Sequence, residues 1–229
     1  MILEVEDLSA GYGPTIVLRG VSFSVEPEEV VCVMGRNGAG KTTLLRALMG
    51  VLPKTGMVRL AGTDISHRPG HRINAAGMVW VPQEASVFPG LTVRDHLTIA
   101  LTPRRNEEEG IAAARELFPV LGDRLGQEAQ TLSGGERKML ALAQALIVKP
   151  KVVLMDEPTE GVAPVVVEQL IPAIEAATNE SAVILVEQNI DTALALGGKA
   201  YILEQGSIAV TGTVRDLHDG GVLQQRLAL

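Results

Sequence analysis

Four short runs of branched apolar residues punctuate the chain: Val30-Val31-Cys32-Val33-Met34, Met78-Val79-Trp80-Val81, Val152-Val153-Leu154-Met155 and Ala182-Val183-Ile184-Leu185-Val186. Continuous apolar runs of this length, bounded by glycine, proline or polar residues, predict buried strands. Residues 2–26 behave differently. Leu3, Val5 and Leu8, then Ile16 and Leu18, then Val21, Phe23 and Val25 alternate with polar positions around Gly11, Gly13 and Pro14. That pattern predicts a hairpin or small antiparallel sheet leading into the first buried strand. Met57-Val58-Arg59-Leu60 adds a further strand before the turn Ala61-Gly62-Thr63-Asp64.

Helical spacing fills the intervals. Residues 41–49 predict a helix closed by Gly50, with Pro53 soon after, and Pro69 opens a short helix that ends near Gly77. From residue 91 to about 130 the chain turns helical. Thr92 with Asp95 forms a capping box for a helix over residues 93–101. Asn106 followed by Glu107, Glu108 and Glu109 places acid on a first turn, and Pro119 ends or kinks that run. Ser133 opens a long helix with Met139, Leu140, Ala143, Leu146 and Ile147 on one apolar stripe. Pro164 opens another, to about Ala177. The remainder predicts a helix near residues 191–196, a hairpin about Gln205-Gly206-Ser207 and a capped terminal helix starting over residues 213–216. Neither an internal repeat nor a linker interrupts the sequence, which predicts one α/β domain over residues 1–229 with a helical subdomain inserted at about 91–150.

Composition narrows this only slightly. Of 229 residues 46% are apolar, enough for a full core. No run approaches the roughly 18–20 apolar residues that span a bilayer, and the first residues do not resemble a signal peptide. Cys32, the sole cysteine, excludes an intrachain disulfide and reads as a small hydrophobe in a strand. The expected location is cytoplasmic. A net charge of −7 argues against a broad nucleic-acid face, and Arg104-Arg105 is too short to make a patch.

The chemistry concentrates on Gly35-Arg36-Asn37-Gly38-Ala39-Gly40-Lys41-Thr42-Thr43, which fits G-x-x-x-x-G-K-[ST] between a predicted strand and a predicted helix. Gly35, Asn37, Gly38 and Gly40 let backbone N–H groups face a phosphate, and the helix N-terminus adds about half a positive charge. Lys41 is placed to reach the β- and γ-phosphates of a nucleotide, the Thr42 hydroxyl to ligate Mg²⁺, and Thr43 to complete the loop. The stretch over residues 151–158 reads as an apolar strand ending in two carboxylates: Asp156 suits the Mg²⁺ shell, and Glu157 suits polarising the attacking water as a general base. Gln83, at the end of another strand, either touches Mg²⁺ or water or is a polar loop residue. Tyr12, in the first turn, either stacks on a nucleotide base or shields sheet edges. Ser133, Gly134, Gly135 and Glu136 form a second anion-binding helix start. One nucleotide does not need two such loops from one chain, which points to a dimer.

In this order the pieces resemble the ATP-binding subunit of ABC transporters over essentially the whole chain. Ser133-Gly134-Gly135 is decisive, because other phosphate-loop families lack that element at that place. Glu157-Pro158-Thr159-Glu160-Gly161-Val162-Ala163-Pro164 and Leu185-Val186-Glu187-Gln188-Asn189 resemble the branch that energises uptake of branched-chain amino acids, urea and short-chain amides. The resemblance implies a phosphate-loop NTPase core with a mostly parallel sheet, an N-terminal antiparallel β subdomain and an inserted helical subdomain. It implies that ATP and Mg²⁺ are bound, with Tyr12 stacking on adenine and Gln83 sensing Mg²⁺ and water while coupling to a membrane partner. Ser133 to Glu136 would close over the γ-phosphate of ATP held by a second ATPase subunit, the same or a related chain. The further partners implied are integral membrane permease subunits and, indirectly, an extracytoplasmic solute receptor. The chain would sit on the inner face of the membrane as a peripheral subunit.

Two positions depart from the commonest pattern of that family. Gln188 stands where most members have a histidine contacting the γ-phosphate; an amide donates a hydrogen bond there but does not titrate near neutral pH. Ala163 stands where many have an aspartate linking the two sites across the dimer. Both departures are usual in the amino-acid uptake branch. Two other functions compete. Gln83-Glu84-Ala85-Ser86-Val87-Phe88 resembles lipopolysaccharide-export ATPases, and a soluble ABC ATPase of iron–sulfur assembly shares the motifs. The interval between Lys41 and Ser133 carries no sustained heptads, unlike DNA-maintenance members.

Overall fold

Alternating and continuous apolar runs sort into two sheets. The computed structural model describes residues 1–101 and 106–227, so Arg104-Arg105 lies outside the described residues. The alternating segments give β1 (Leu3–Tyr12) and β2 (Thr15–Val25), an antiparallel hairpin that turns across Gly13-Pro14 with Tyr12 opposite Thr15. The first continuous run is β3 (Val30–Met34), followed by helix α1 (Lys41–Leu48). Next come β4 (Lys54–Leu60), β5 (Thr63–Asp64), α2 (Gly70–Ala75) and β6 (Met78–Val81). The helical stretch holds α3 (Val93–Ala100), α4 (Glu107–Leu117), α5 (Pro119–Asp123) and α6 (Gly134–Leu146). The C-terminal third adds β7 (Val152–Asp156), α7 (Pro164–Ala177), β8 (Ala182–Glu187), α8 (Ile190–Leu196), β9 (Lys199–Glu204), β10 (Ser207–Thr213), α9 (Val214–Asp219) and α10 (Val222–Leu227).

One sheet is antiparallel, in the order β2-β1-β4-β5; the other runs β10-β9-β3-β8-β7-β6. In the second sheet only the β10–β9 pair is antiparallel; the β9–β3, β3–β8, β8–β7 and β7–β6 pairs are parallel. A parallel sheet must be covered on both faces, which is why its strands read as unbroken apolar runs. The period-two rule divides them. Cys32, Met34, Val153, Met155, Val183 and Leu185 pack with α3 to α10 on one face. Val31, Val33, Val152, Leu154, Ile184 and Val186 pack with α1 and the antiparallel sheet on the other. The middle sheet is therefore a wall between two cores, and its strand ends emerge together beside α1.

Side-chain capping sets the starts of α3, α4, α6, α8 and α9. Thr92 accepts from the Asp95 N–H at 3.1 Å and Asp95 accepts from the Thr92 N–H at 2.8 Å, the reciprocal box the sequence predicts. Asn106 accepts from the Glu108 N–H at 2.9 Å. Pro119 does more than end α4: it opens α5 at its first position. Helix α10 is a single short segment whose Leu223 and Leu227 are buried, too brief for periodicity to single out.

Lys54 closes α1. Its ammonium donates to the Ala47 carbonyl at 2.8 Å and the Leu48 carbonyl at 3.4 Å, the orphan acceptors of the last turn. Burial lowers the Lys54 pKa to about 8, against the opposing pull of Asp64. A base whose folded pKa lies below its unfolded value loses its proton in the folded state first. The folded state then gains on the unfolded state as pH rises between about 8 and the unfolded lysine value of about 10.4. Urea midpoints measured at pH 8 and pH 10 should therefore shift in favour of wild type relative to Lys54→Met at the higher pH. A pH-independent difference would show that Lys54 is not titrating in this window.

Candidate functional site

The loop between β3 and α1 is shaped by what it lacks. Gly40 precedes α1 with φ 109, where a Cβ would meet Leu18 Cδ2 at 2.9 Å. No side chain caps this helix start, and its first turn carries no acid, unlike α3, α4 and α6. Its N–H groups thus stay available to an anion, with the helix dipole behind them. Lys41, 5% exposed, donates to the Gly35 carbonyl at 2.8 Å and pairs with Glu157 Oε1 at 3.1 Å. A buried ammonium without such partners would be costly. An open cavity of about 490 Å³ lies over the loop, lined by Val17, Asn37, Gly38, Gly40, Lys41, Thr42, Thr43, Gln83, Glu157 and Glu160.

The ends of β7 and β6 meet this cavity. Asp156, 1% exposed, accepts from the Thr42 hydroxyl at 3.2 Å through Oδ1, while its buried Oδ2 has no hydrogen-bond partner. Burial pushes the Asp156 carboxyl above the usual carboxylate range, with the Thr42 hydrogen bond opposing. An orphaned buried carboxylate oxygen next to a hydroxyl is a hard, oxygen-only donor set, and it fits Mg²⁺. Glu157 follows with φ 46, a left-handed conformation rare for a side chain of its size. That backbone reversal turns Glu157 toward Lys41 instead of continuing the strand beside Asp156. Gln83 also reaches the cavity, and its side-chain amide donates to the Glu160 carboxylate.

Other predicted residues stand apart from the cavity lining. Tyr12 ends β1 with its ring 43% exposed and its hydroxyl accepting from Arg46 at 3.0 Å. Gln188 follows β8 half-buried, its N–H on Glu187 Oε2 at 3.2 Å. Ser133, Gly134, Gly135 and Glu136 are not among the lining residues. There the Glu136 N–H donates to the Ser133 hydroxyl at 3.3 Å, and the Glu136 carboxylate takes the Ser133 N–H at 2.8 Å and Arg124 at 3.0 Å. The Glu136 carboxyl is accordingly held below its usual range, chiefly by the Ser133 N–H. Ser133 and Gly134 remain exposed.

Sequence reasoning missed Glu160 and Val17 as lining residues, since nothing in their spacing marks them. It also missed His96, 1% exposed, whose Nε2 accepts from the Phe88 N–H at 2.9 Å. Its Nδ1 lies 2.9 Å from the Thr92 carbonyl, and its own carbonyl accepts from Gln144 at 2.8 Å. His96 thereby ties the loop after Gln83 to α3 and α6.

Comparison with known proteins agrees with this geometry. A family model described as ABC transporter matches residues 18–160. The high-affinity branched-chain amino acid transport ATP-binding protein BraG of Pseudomonas aeruginosa is 38% identical, covering 96% of this chain and all of that protein. The "Probable branched-chain amino acid transport ATP-binding protein LivF" of Archaeoglobus fulgidus is 37% identical over 94% of each. The lipopolysaccharide export system ATP-binding protein LptB of Haemophilus influenzae is 36% identical over 93% of this chain and 90% of its own. Among solved structures, an ATP binding subunit of an ABC transporter superposes with a TM-score of 0.86 at 25% identity, covering 100% of both chains.

The two glycines after Ser133 have separable roles. A Cβ on Gly135 would fall 2.6 Å from Val166 Cγ2 on α7, whereas a Cβ on Gly134 meets nothing within 4 Å. Gly135→Ala should lose about 1–3 kcal/mol in urea denaturation through overpacking, and Gly134→Ala should keep the wild-type midpoint. Equal midpoints for the two variants would refute the close α6–α7 contact.

Proposed function

The chain belongs to the ABC transporter family as an ATP-hydrolysing, ATP-binding subunit, and on that premise we propose that it energises a membrane permease for uptake of branched-chain amino acids or related small amides. The observation that carries the enzymatic part is the convergence of Lys41, Thr42, Gln83 and Glu157 on one cavity with the orphaned Asp156 oxygen behind it. The cargo rests on BraG and LivF together with the stretches over residues 157–164 and 185–189. LptB supports a second reading, lipopolysaccharide export, through the stretch over residues 83–88. Its lower identity, and the Gln188 match to the uptake branch, place that reading second. Isolation of the native complex and measurement of the solute its receptor binds decides between them: an amino acid or small amide supports uptake, and lipopolysaccharide bound to the complex in its place overturns it.

In this reading the loop N–H groups over residues 35–43 and Lys41 hold the β- and γ-phosphates, and Tyr12 offers its exposed ring to adenine. Thr42 and Asp156, with Gln83 at the outer side, would hold Mg²⁺, which supplies neutralisation of the charge that builds on the phosphates. Lys41, on turning to the phosphates, releases the Glu157 carboxylate. Glu157 then accepts the proton of the water whose oxygen bonds to the γ-phosphorus as the bond to the ADP oxygen breaks. Gln188 donates an amide hydrogen to the γ-phosphate. Ser133, Gly134, Gly135 and the helix start they share close the site of the second subunit, and Glu136 serves there by fixing that helix start.

Residues 91–150 act as the inserted helical subdomain of a single domain over residues 1–229. Among the described residues no helix is long and apolar enough to cross a membrane; in this reading the subunit binds its permease peripherally, on the side where ATP is supplied. A cleft of about 640 Å³ between α2, β6 and α6, lined by Trp80, Ala85, Ser86 and Gln144 and beginning one residue from Gln83, is the surface offered to it. Glu157→Gln should bind ATP, lose turnover by about 10²–10⁴-fold and form a tighter dimer, read by ATPase assay and light scattering. Unchanged turnover would remove Glu157 as the base.

A further inference from the structure

Glu157 holds a left-handed backbone, φ 46, at the point where its carboxylate must be placed. Such a conformation in a non-glycine residue costs on the order of 1–3 kcal/mol and persists only where its surroundings over-determine it. The turn that begins at Glu157 closes on itself through the Glu160 N–H and the Glu157 carbonyl at 3.2 Å. Two charged side chains from different elements then grip it from outside. From α6, the Lys138 ammonium donates to the Glu157 carbonyl at 3.1 Å and to the Glu160 carbonyl at 2.7 Å. From β8, the Glu187 carboxylate, 2% exposed, takes the Thr159 hydroxyl at 2.7 Å and the Thr159 N–H at 3.4 Å on one oxygen. Its other oxygen takes the N–H groups of Gln188 and Asn189, each at 3.2 Å.

We propose that Lys138 and Glu187 are positioning residues that clamp the turn over residues 157–160 and thereby aim the Glu157 carboxylate. The inference rests on the reading of Glu157 as general base and extends it. Neither residue touches the loop cavity. Each acts through the turn, and each comes from an element that carries another working part. Lys138 lies five positions after Ser133 on the same helix, so a shift of the exposed helix start moves the carbonyls on either side of the Glu157 turn. Glu187 joins the same turn to Gln188. The Gln83 amide meets the turn as well, at Glu160. A cation on carbonyls and a carboxylate on N–H and O–H donors are charge-assisted bonds, the strong class, in a partly dehydrated setting. The clamp also gives this chain an internal route between site elements that does not use an aspartate at position 163, where Ala163 stands.

The test separates aim from binding. Lys138→Met keeps the stem and removes the donor; Lys138→Arg restores two donors to two carbonyls. Thr159→Val removes the hydroxyl from Glu187 at nearly constant shape. Steady-state ATPase on the assembled complex should show kcat falling about 10- to 100-fold for Lys138→Met and Thr159→Val, as expected for a misplaced catalytic group. KM for ATP should stay at its wild-type value, and Lys138→Arg should recover most of the loss. Wild-type kcat in both Lys138→Met and Thr159→Val overturns the clamp. So does a loss that appears as raised KM, or one that Lys138→Arg shares in full. If Lys138→Met does not fold, Thr159→Val carries the same comparison alone. Glu157→Gln run alongside keeps the two readings apart: an inactive Glu157→Gln with fully active Lys138→Met and Thr159→Val sinks the clamp only, and an active Glu157→Gln sinks the base.

Discussion

A lysine ammonium held almost out of water is the constraint around which this structure is arranged. Lys41 needs a partner wherever it is buried, because an unpaired charge there would cost several kcal/mol. The Gly35 carbonyl and the Glu157 carboxylate supply that partner at 2.8 and 3.1 Å. For Glu157 to reach Lys41 the chain must reverse at the end of β7, and it does so through a strained residue. The strain in turn requires the grip of Lys138 and Glu187. The same contact pairs the proposed base directly with the phosphate-binding cation.

In the proposed function one chain supplies half of a shared site. The uncapped start of α1 faces the cavity with free N–H groups, while the capped start of α6 leaves Ser133 and Gly134 exposed. Gly135 lets α6 sit against α7, which fixes the direction in which that exposed end points. Phosphoryl transfer asks mainly for positioning and charge stabilisation. In that reading, donors from a second subunit complete the site by placement alone. Lys138 makes the completion felt inside the first chain, because it stands on the same helix as the exposed end.

The sequence was most readable where a single local rule governs. Gly40, Lys41 and Thr42 follow from one motif, and the capping box at Thr92 follows from a reciprocal pair three residues apart. The second box, at Ser133, emerged only in the structure, where the sequence had read an anion-binding helix start. Unbroken valine- and leucine-rich runs gave the parallel strands because both sheet faces are covered. The unreadable parts depend on residues far apart in the chain. Glu187 was legible as a family mark next to Gln188, but its hold on Thr159 spans 28 positions. Lys138 carries no motif of its own, and only the folded chain brings it to two carbonyls of the turn. His96 gave no signal either: its partners are a backbone N–H and a carbonyl, which no side-chain pattern records. The left-handed turn at Glu157 was equally hidden, since nothing about a glutamate before proline predicts positive φ.

The central claim is that hydrolysis belongs to a pair of chains and not to one. It is tested most directly by following ATP turnover per chain across a protein concentration series, with the association state read by light scattering in the same samples. A shared site predicts that turnover is negligible in the monomer and rises in step with the dimer, whether the second subunit is another copy or an added related chain. A chain that stays monomeric and hydrolyses ATP at the rate of the assembled transporter would contradict it.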